Sequence, residues 1–507
     1  MRCGVDFGTT RTTVAVVDRG NYPVVSFHDD LDDTFDYIPS VMALDGNHPV
    51  FGFRAARLAQ EGAPHLHSFK RLLADRDVTV STTVRLARRD FTVQDIVEGF
   101  LRHVAREVRT SSSVAEIPDD EPLEASVGIP AHAYSAQRFM TLEAFKGAGW
   151  TVTAMVNEPS AAGFEYTHRH AGTVNSKRRR VLVYDLGGGT FDASLVSVDG
   201  TTHEVLGSRG NNMLGGDDMD EVLATLALRA AHNSTAALGD RNWDALVEAA
   251  REAKESLAPQ TRYVTLEVAG SPVTVSVADY YRELSPLITA TIDTMAPLLD
   301  HDADGAETLG EDVAGLYVVG GGSELPAVSR ELRQRFGRRV HRSPHSAAST
   351  AIGLAIAEDP DAGYTLRERF SRGVGVFRER ESGTQVSFDP LLDPGLRVST
   401  TESVSVTRTY RAAHNLGWFR FVEYTSTDSD GVPRSEVVPY GELVFPFDPA
   451  LQGLGDGVDL RDLPVHRTED GPLVEERYTV DPHGIVTVSV TDLDTGHRVS
   501  RTLGTQH

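Results

Sequence analysis

Apolar and polar positions over the first 360 residues alternate between strand-like and helix-like periods. The run Leu123 to Pro130 is predicted to be a strand, and Tyr134 to Gly147 an amphipathic helix. The alternation returns with helices predicted at 218–231 and 244–258 and a strand at Leu316 to Val319. Strands that alternate with helices are typical of α/β layers. We therefore expect this part of the chain to form an α/β domain.

Two glycine-bearing hairpins in this region resemble each other although they lie far apart. The first runs from Gly4 to Asp18 and the second from Val183 to Asp199. Each consists of an apolar strand, an aspartate, a glycine two residues later, a tight polar turn and a β-branched strand. The aspartates, Asp6 and Asp185, occupy equivalent positions. An internal repeat at this scale predicts two equivalent lobes.

Beyond residue 358 the helical period does not return. Short alternating runs instead predict strands, at Ser403 to Tyr410, Trp418 to Tyr424, Glu476 to Val480, Ile485 to Val490 and His497 to Leu503. Turn sequences such as Asp481-Pro-His-Gly484 fit hairpins. The pattern predicts a separate all-β module, a small sandwich.

The composition is that of a globular protein, since 40% of the 507 residues are hydrophobic and 24% are charged. The net charge of −24 disfavours broad electrostatic capture of nucleic acid or anionic lipid. Cys3 is the only cysteine, which excludes an internal disulfide and a cluster of thiol ligands. No signal peptide precedes the first strand, and no apolar run approaches the ~18 residues of a membrane span. We therefore expect a cytoplasmic location.

The two hairpin turns have the chemistry of a phosphate site. Tight turns of glycine and small residues point backbone N–H groups inward, and Thr9, Thr10 and Thr190 add hydroxyls. Asp6 and Asp185 suit Mg²⁺ held through water, because this ion prefers oxygen ligands and keeps several waters. The turns are not a Walker loop, since strand-turn-strand replaces strand-turn-helix and no Gly-x-x-x-x-Gly-Lys-Ser/Thr occurs. Either turn alone is a weak signal.

Read together, five motifs resemble the signature blocks of the seventy-kilodalton heat-shock chaperone (DnaK-type) ATPases. They occur in family order over residues 1–357 and read Gly4-Val-Asp-Phe-Gly-Thr-Thr, Asn157-Glu-Pro-Ser-Ala-Ala-Gly, Val183-Tyr-Asp-Leu-Gly-Gly-Gly-Thr-Phe-Asp, Leu214-Gly-Gly-Asp-Asp and Val318-Val-Gly-Gly-Gly-Ser. The resemblance implies a two-lobed, actin-like nucleotide-binding domain at 1–360, a linker at 361–376 and a β-sandwich of the substrate-binding type at 377–507. It also implies a slow, Mg-dependent ATPase with ATP/ADP and Mg as cofactors.

Roles for individual residues follow from the resemblance. Lys70 would contact the γ-phosphate and the attacking water, and Thr190 and Asp192 would orient that water. Asp6, Glu158 and Asp185 would organise Mg²⁺ through its waters. Lys70 is one of only four lysines in an arginine-biased chain, which favours a need for a compact ammonium. The residues expected around the nucleotide are Gly8, Thr9, Thr10, Arg11, Gly187, Gly188, Gly189, Thr190, Gly215, Gly216, Arg251, Lys254, Gly320, Gly321, Gly322 and Ser323.

The adenosine end departs from the family pattern. Glu324 stands where the family has an arginine that packs on the base, and His345 replaces an aspartate on the opposite wall. Around Lys254, the family's acidic, basic and serine positions hold Arg251, Glu255 and Ala258. Arg251 lies one helical turn from Glu255 and is a candidate for the stacking stem. The sequence thus supports triphosphate hydrolysis better than tight adenine selectivity.

The end of the chain, Val474 to Arg498, resembles the last hairpins of the family's peptide-binding β-domain. No helical lid and no acidic-leucine linker are evident, so we expect a lidless domain. Pro130 and Arg138 match a family pair proposed to relay nucleotide state, whereas Ala154 replaces an arginine used with J-domain partners. Four aromatic residues are candidates for a peptide groove, although such alternation is more common in a core: Trp418, Phe419, Phe421 and Tyr424.

The leading hypothesis is a chaperone-like ATPase whose nucleotide state controls binding of unfolded or extended polypeptide by the β-domain. A nucleotide-exchange factor is a possible partner, a J-domain partner is doubtful, and neither nucleic acid nor membrane is expected. One alternative is a small-molecule kinase on the same fold. It would need a general base facing an acceptor pocket, and no such motif is evident. Another alternative is a nucleotide-regulated scaffold for one dedicated protein partner.

Overall fold

The structure is a computed structural model that describes residues 1–504 except 30, 116, 119, 171, 302–304, 371, 381–383, 399–401, 435 and 455–457, and the backbone alone at 240, 241, 368 and 380. The helices are α1 Gly52–Gln60, α2 Val93–Thr110, α3 Ser135–Gly147, α4 Glu158–Arg169, α5 Gly216–Ala230, α6 Thr235–Leu238, α7 Asp240–Glu255, α8 Val277–Met295, α9 Pro326–Phe336, α10 Ser349–Glu358 and α11 Pro449–Gln452.

The strands up to the end of the second hairpin region are β1 Arg2–Phe7, β2 Arg11–Val16, β3 Phe27–His28, β4 Thr34–Phe35, β5 Ile38–Pro39, β6 Val41–Asp45, β7 His48–Phe51, β8 His65–His67, β9 Thr83–Leu86, β10 Arg89–Thr92, β11 Leu123–Ile129, β12 Trp150–Asn157, β13 Arg180–Leu186, β14 Phe191–Asp199 and β15 Thr202–Asn211. The remaining strands are β16 Tyr263–Val268, β17 Ser271–Ser276, β18 Asp300–His301, β19 Glu307–Thr308, β20 Val313–Val319, β21 Val340–Arg342, β22 Thr365–Arg369, β23 Gly373–Arg380, β24 Gln385–Leu392, β25 Arg397–Val398, β26 Val404–Arg411, β27 Leu416–Tyr424, β28 Val438–Pro446, β29 Leu473–Val480, β30 Val486–Asp492 and β31 Arg498–Thr502.

Two sheets with the same central arrangement form the two lobes. In the first lobe the strand order is β12-β11-β1-β2-β5, and in the second it includes β21-β20-β13-β14-β15. In each lobe a glycine-turn hairpin (β1–β2 or β13–β14) lies antiparallel, and a parallel strand joins its first member. The two predicted lobes therefore share the same strand topology, and the actin-like, two-lobed fold is confirmed.

The lobes meet through α4 and α10, whose backbones approach closely. A Cβ atom at Gly353 of α10 would lie 1.8 Å from the carbonyl oxygen of Ala161 in α4. A Cβ atom at Gly4 of β1 would lie 2.3 Å from the carbonyl oxygen of Ala351. Only glycine permits these approaches. These close approaches hold β1 of the first lobe against α10, a helix that also contacts the second lobe.

The C-terminal module is a sandwich of two four-stranded sheets, β24-β23-β27-β28 and β26-β29-β30-β31. Its core includes Phe419 and Phe421 of one sheet and Tyr478 of the other. Of the four aromatic residues considered for a peptide groove, Phe419, Phe421 and Tyr424 are buried. Only Trp418 is exposed, and its indole N–H donates to Glu442. The aromatic alternation in β27 thus mainly builds the core.

The range predicted as a linker, 361–376, contains regular structure. Strand β22 lies parallel to β15, with Thr202 opposite Thr365, and so extends the sheet of the second lobe. Strand β23 begins the sandwich at Gly373. Between these strands only a few residues connect the two folds. The exact domain boundaries stay a prediction.

The sandwich packs on the first lobe, at the beginning of α3. Glu423 of β27 is buried and accepts hydrogen bonds from the backbone N–H and the hydroxyl of Ser135. Arg138 donates to the carbonyl oxygen of His483 at 3.1 Å and to Asn157 at 3.3 Å. Ile485 lies in a small apolar cluster with residues of the first lobe, namely Ile129, Ala133, Leu142 and Met155. The predicted relay residue Arg138 therefore bridges the sandwich and the strand end next to Glu158.

No helix within the described parts of the chain combines the length and the apolar character that crossing a membrane requires.

Candidate nucleotide site

The two glycine turns face each other across the cleft between the lobes. A Cβ atom at Gly188 would lie 2.6 Å from the hydroxyl oxygen of Thr10, and one at Gly189 would lie 2.7 Å from the methyl carbon of Thr9. Glycine is needed here because any side chain would separate the turns. The beginning of α5 closes the third side, since the backbone N–H of Asp217 donates to the carbonyl oxygen of Gly188 at 2.7 Å. Small side chains and inward backbone groups suit a phosphate chain.

A cavity of about 270 Å³ lies between these turns. Most of the residues predicted from the sequence line it: Asp6, Gly8, Thr9, Thr10, Arg11, Lys70, Glu158, Asp185, Gly187, Gly188, Thr190, Gly216, Arg251, Lys254, Gly320, Gly321 and Gly322. Four predicted residues do not line the cavity: Gly189, Asp192, Gly215 and Ser323. Of these, Ser323 donates to the carbonyl oxygen of Gly320 at 2.7 Å, which supports that turn from behind.

Lys70 lines the cavity at the end where the phosphates are expected. It belongs to a short 3₁₀ turn, Phe69–Ala74, which Phe69 anchors in the core of the first lobe. The Lys70 side chain is 5% exposed, and its ammonium donates to Glu158 at 2.8 Å. Glu158 is placed at the cleft because β12 ends at Asn157 and α4 begins at Glu158, with Pro159 in its first turn. Burial alone would lower the pKa of Lys70, but the carboxylates of Glu158 and Asp6 outweigh it and raise that pKa, so the ammonium stays charged.

Carboxylates outnumber cations around Lys70. Asp185 and Asp192 lie opposite each other on β13 and β14. Burial, together with the charge of Glu158, raises the pKa of Asp6 to about 7 and raises the pKa values of Asp185 and Asp192 well above their usual range. One Asp192 carboxylate oxygen is buried without a hydrogen-bond partner. The cluster therefore lacks positive charge and donors.

A hydrated divalent cation fits this deficit. It would bring two positive charges, and its waters would donate hydrogen bonds to the carboxylates. Among the described residues, no group of three or more His, Cys, Asp or Glu side chains is arranged to bind a metal ion directly. Contact of Mg²⁺ with Asp6, Glu158 and Asp185 through water stays a prediction.

The part of the cavity where the nucleoside is expected carries mainly charged side chains. Arg251 of α7 is held by three carboxylates, those of Asp217, Asp220 and Glu248, at 2.9–3.3 Å. Its guanidinium is thereby paired with carboxylates of α5 and α7. Stacking of its aliphatic stem on a base stays a prediction. Lys254 contacts Asp220 at 2.6 Å and also donates to the carbonyl oxygen of Gly216.

Arg11 and Glu255 form an ion pair that joins the two lobes at this end. Arg11 follows the first glycine turn, and its guanidinium lies 4.4 Å from the ring centroid of Tyr37. Glu255 is the last residue of α7 in the second lobe. Gln60 and Glu252 make a second contact between the lobes at 3.2 Å. Sequence analysis found Arg11 as a nucleotide residue but not its partner across the cleft.

Several lining residues were not predicted as site residues. They are Asp217, Asp220, Glu255, Leu257, Glu324, Leu325, Ser346, Ala347 and Thr350. Asp217 belongs to the recognised motif Leu214-Gly-Gly-Asp-Asp, so its neighbourhood was visible in the sequence. Ser346 to Thr350 carry no comparable signal. His345, expected on the wall of the base, is exposed and does not line the cavity.

Comparison with known proteins agrees with this geometry. A family model described as Hsp70 protein matches residues 2–363. The chaperone protein DnaK of Ureaplasma parvum is 25% identical over 99% of this chain and 77% of its own length. The DnaK proteins of Mycoplasmopsis synoviae and Mycoplasmopsis pulmonis are 27% and 28% identical over 71% and 70% of this chain, and 59% and 57% of their own lengths. The chain therefore belongs to the Hsp70 family, whose members are ATP-hydrolysing chaperones on an actin-like fold.

Proposed function

We propose that this protein is an ATP-hydrolysing molecular chaperone in which the bound nucleotide controls polypeptide binding by the β-sandwich. The observation that carries the proposal is the buried Lys70–Glu158 pair, set among further carboxylates between two facing glycine turns. Such a site can hold a triphosphate and neutralise charge on the phosphoryl group that is transferred. Family membership and the DnaK relatives support the same activity.

In this proposal each residue has a defined task in hydrolysis. The Thr9, Thr10 and Thr190 hydroxyls and the turn N–H groups bind phosphate oxygens. The Lys70 ammonium stabilises negative charge that develops during transfer, and Asp192 orients the attacking water. Asp6, Glu158 and Asp185 hold the waters of Mg²⁺, which supplies charge neutralisation when bound. Catalysis of this kind is positioning and electrostatics, and we expect it to be slow.

The partner of the β-sandwich is proposed to be an unfolded or extended polypeptide. Exposed strand edges can capture such a segment by backbone hydrogen bonding. Burial of Phe419, Phe421 and Tyr424 in the core removes most of the expected aromatic groove, which favours weak binding with fast release. The same observation is compatible with a second candidate function, a nucleotide-regulated scaffold for one dedicated protein. We place the protein in the cytoplasm and leave a nucleotide-exchange factor as a further proposed partner.

The experiment that tests the proposed function measures peptide binding in both nucleotide states. Fluorescence anisotropy of unstructured apolar peptides on the full chain, with ATP and with ADP, should show micromolar or weaker binding that differs between the nucleotides. ATP turnover is measured on the same samples with and without Mg²⁺. Peptide binding in neither state, alongside one tightly bound folded partner in pull-down experiments, would favour the scaffold. Absence of Mg-dependent ATP hydrolysis would contradict the ATPase itself.

A further inference from the structure

Basic side chains gather on the second lobe, where the parallel strands β13, β20 and β21 begin. The loop between α4 and β13 carries four consecutive basic residues, 177–180, and the 3₁₀ turn before β21 carries Arg338 and Arg339. We call these six residues the basic rim. Because neighbouring strands lie about 4.8 Å apart, the starts of β13 and β21 are roughly 10 Å apart across the sheet. The fold thus assembles the basic rim from two segments that lie far apart in the chain.

Direct contacts bring the two segments of the basic rim together at the start of β20. Arg180 pairs with Val313 in the sheet and forms an ion pair with Asp312 at 3.1 Å. Arg339 donates to the carbonyl oxygen of the same Val313 at 3.0 Å. Burial and the nearby charge of Arg178 lower the pKa of Arg339. Side chains of the two segments therefore lie close enough for their charges to repel.

Most of the charge of the basic rim is uncompensated. In the part of the chain that the structure describes, no ion pair and no side-chain hydrogen bond involves four of its exposed residues, namely Lys177, Arg178, Arg179 and Arg338. These free cations contrast with the net charge of −24 for the whole chain. Like charges held together cost free energy, and these four side chains make no contact that stabilises the fold. A partner of opposite charge would give the arrangement a purpose.

The neighbourhood of the basic rim indicates which anion it accepts. Arg180 already pairs with the carboxylate of Asp312, and Arg335 at the end of α9 pairs with Glu307 at 2.6 Å. Arginine suits carboxylates because its planar fork can donate two parallel hydrogen bonds. A single-stranded nucleic acid would also need exposed aromatic rings for its bases, and no Phe, Tyr or Trp of the described chain is exposed at the basic rim. The surface therefore fits a short run of carboxylates better than a nucleic acid.

We infer that the basic rim is a docking surface for an acidic segment of a partner protein. Carboxylates of that segment pair with the four free cations, while Arg180 and Arg339 stay bound to the sheet. The surface is separate from the nucleotide site, because β13 begins at Arg180 and ends at Leu186, about 20 Å away beside the glycine turn. It is also separate from the β-sandwich. The inference therefore goes beyond the proposed function and does not depend on it.

The first test removes the free cations from the full chain by combining Lys177→Ser, Arg178→Ser, Arg179→Ser and Arg338→Ser. A fluorescent peptide of ten glutamates should bind the wild type at low salt and this variant about tenfold more weakly. The matched control removes the same charge from scattered exposed positions and should stay within about twofold of the wild type. It combines Arg19→Ser, Arg88→Ser, Arg262→Ser and Arg434→Ser. An equal loss of affinity in both variants would show that only net charge matters and would overturn the inference.

The second test uses the wild type and maps where the peptide lies. The chain has only four lysines; Lys70 is buried and Lys254 is paired in the cleft, which leaves Lys146 and Lys177 exposed. A carbodiimide condenses a carboxyl group of the N-acetylated glutamate peptide with a lysine amine, with loss of water. Mass spectrometry should find the resulting amide at Lys177 and not at Lys146, which serves as the internal control. Equal linkage at both lysines, or none at Lys177, would contradict docking at the basic rim.

A third measurement decides the chemical class of the partner. An oligothymidylate of ten nucleotides is titrated under the same conditions as the glutamate peptide and should bind more weakly. If it binds the wild type as tightly and is lost in the same variant, the basic rim is a general polyanion surface and the inference of an acidic polypeptide fails. The inference also fails if the glutamate peptide does not bind the wild type at low salt. The proposed function is unaffected by either failure, since ATP turnover and binding of apolar peptides test it separately.

Discussion

At the scale of single residues, the site depends on one buried cation among carboxylates. Burial and neighbouring carboxylates raise the pKa values of Asp6, Asp185 and Asp192, and the Lys70 ammonium opposes that rise at all three. A compact ammonium can contact Glu158 at 2.8 Å in this narrow space and still turn toward a phosphate. Arginine is the usual basic residue of this chain, and its planar fork would need more room. The position therefore calls for lysine.

We predict that Lys70→Ala keeps nucleotide binding but loses at least tenfold in the rate of ATP hydrolysis. The charge that stabilises the transferred phosphoryl group is removed, while the turns that hold the phosphates remain. A single-turnover assay measures the rate, and titration calorimetry measures binding. Lys146→Ala is the control, because Lys146 is exposed and pairs only with its helix neighbour Glu143 among the ion pairs observed. Unchanged turnover in Lys70→Ala would remove this residue from the mechanism.

A second residue-scale prediction concerns acid stability. His203 is fully buried, stacks on Phe164 with 4.6 Å between ring centroids, and has its pKa lowered to about 4 by burial. In the unfolded chain the pKa is near 6.5, as in model peptides. Between these values the unfolded state binds more protons, so stability is full above pH 6.5 and falls as the pH drops toward 4. For this one group the loss is on the order of 3 kcal/mol.

His203→Phe should therefore lose less thermal stability between pH 7 and pH 4.5 than the wild type does. The melting temperature of the nucleotide-binding domain measures this across the pH range. His48→Phe, at an exposed position, should keep the pH dependence of the wild type. The other buried histidines are present in all three proteins, so their contributions to the pH dependence of stability cancel in the comparison. Equal slopes for wild type and His203→Phe would show that His203 does not titrate on unfolding.

At the scale of elements, α7 carries the largest change in charge relative to the family pattern. Arg251 and Glu255 occupy positions where the family has the opposite signs, and both find new partners in the structure. Arg251 is surrounded by carboxylates, and Glu255 crosses the cleft to Arg11. These ion pairs hold the helix in place, and Lys254 keeps its family position whereas Arg251, Glu255 and Ala258 depart from the family pattern.

We predict a weak preference for adenine. The difference in binding free energy between ADP and GDP should be smaller than roughly 3 kcal/mol, the upper end for one well-made hydrogen-bond contact to a charged group. Titration calorimetry with both nucleotides under the same Mg²⁺ concentration measures it. Glu324, His345 and Ala258 replace the family's base-contacting side chains, which is the reason for the expectation. A much larger preference for ADP would mean that Arg251 or its neighbours rebuild a selective pocket.

The Arg11–Glu255 pair leads to a separate prediction for nucleotide exchange. Glu255→Ala should speed ADP release by no more than about fivefold, because partly exposed ion pairs contribute about 0.2–1 kcal/mol. Stopped-flow release of a fluorescent ADP measures the rate. High salt should bring wild type and variant together, since it screens the pair. Glu143→Ala, which breaks a pair within one helix, is the control, and a slower release in Glu255→Ala would contradict the role.

Elements with a strong local period were predictable, and contacts between distant elements were not. The strand expected at Leu123 to Pro130 is Leu123–Ile129, and the helix expected at Tyr134 to Gly147 is Ser135–Gly147. By contrast, β22 was read as linker, because its status as a strand depends on a partner in β15 more than 150 residues away. The antiparallel bridge between His414 and Arg467 was likewise not predictable, since the exposed residues around Arg467 have no period and Asn415, which bonds to His466, gives no signal in sequence.

The candidate site shows the same division. Glycine turns and their aspartates have fixed spacing, so most of the residues that line the cavity between the turns were named from the sequence, and their roles stay predictions. The expected nucleoside end depends on which side chains meet across a cleft, and the pairing of Glu255 with Arg11 and the place of Ser346 in the lining came from that geometry alone. Glycine motifs are visible in a sequence because they reflect requirements of the backbone. Ion pairs between distant elements leave no such pattern.

At the scale of the whole molecule, the sandwich is joined to the first lobe by a buried charged contact. Glu423 is 1% exposed and faces the first turn of α3, where the N–H and hydroxyl of Ser135 donate to it. Burial raises the pKa of Glu423, and Arg372 and the Ser135 contacts oppose the shift. The contact lies beside Arg138, which reaches both His483 and Asn157, the residue that precedes Glu158. Contacts therefore run from the sandwich to Asn157, next to Glu158 of the candidate site.

We predict that Glu423→Ala weakens docking of the sandwich by about 1–3 kcal/mol, because the Ser135 N–H and hydroxyl lose their acceptor in a buried place. Small-angle scattering should show a larger radius of gyration, and ATP turnover should become insensitive to added peptide. Glu442→Ala serves as the control, since Glu442 lies on the neighbouring strand β28 and pairs with Trp418 and Arg461 within the sandwich. Both variants should keep the melting transition of the sandwich, which separates loss of docking from loss of folding. An unchanged radius of gyration together with unchanged peptide sensitivity in Glu423→Ala would show that the apolar contact of Ile485 holds the domains without help from this carboxylate.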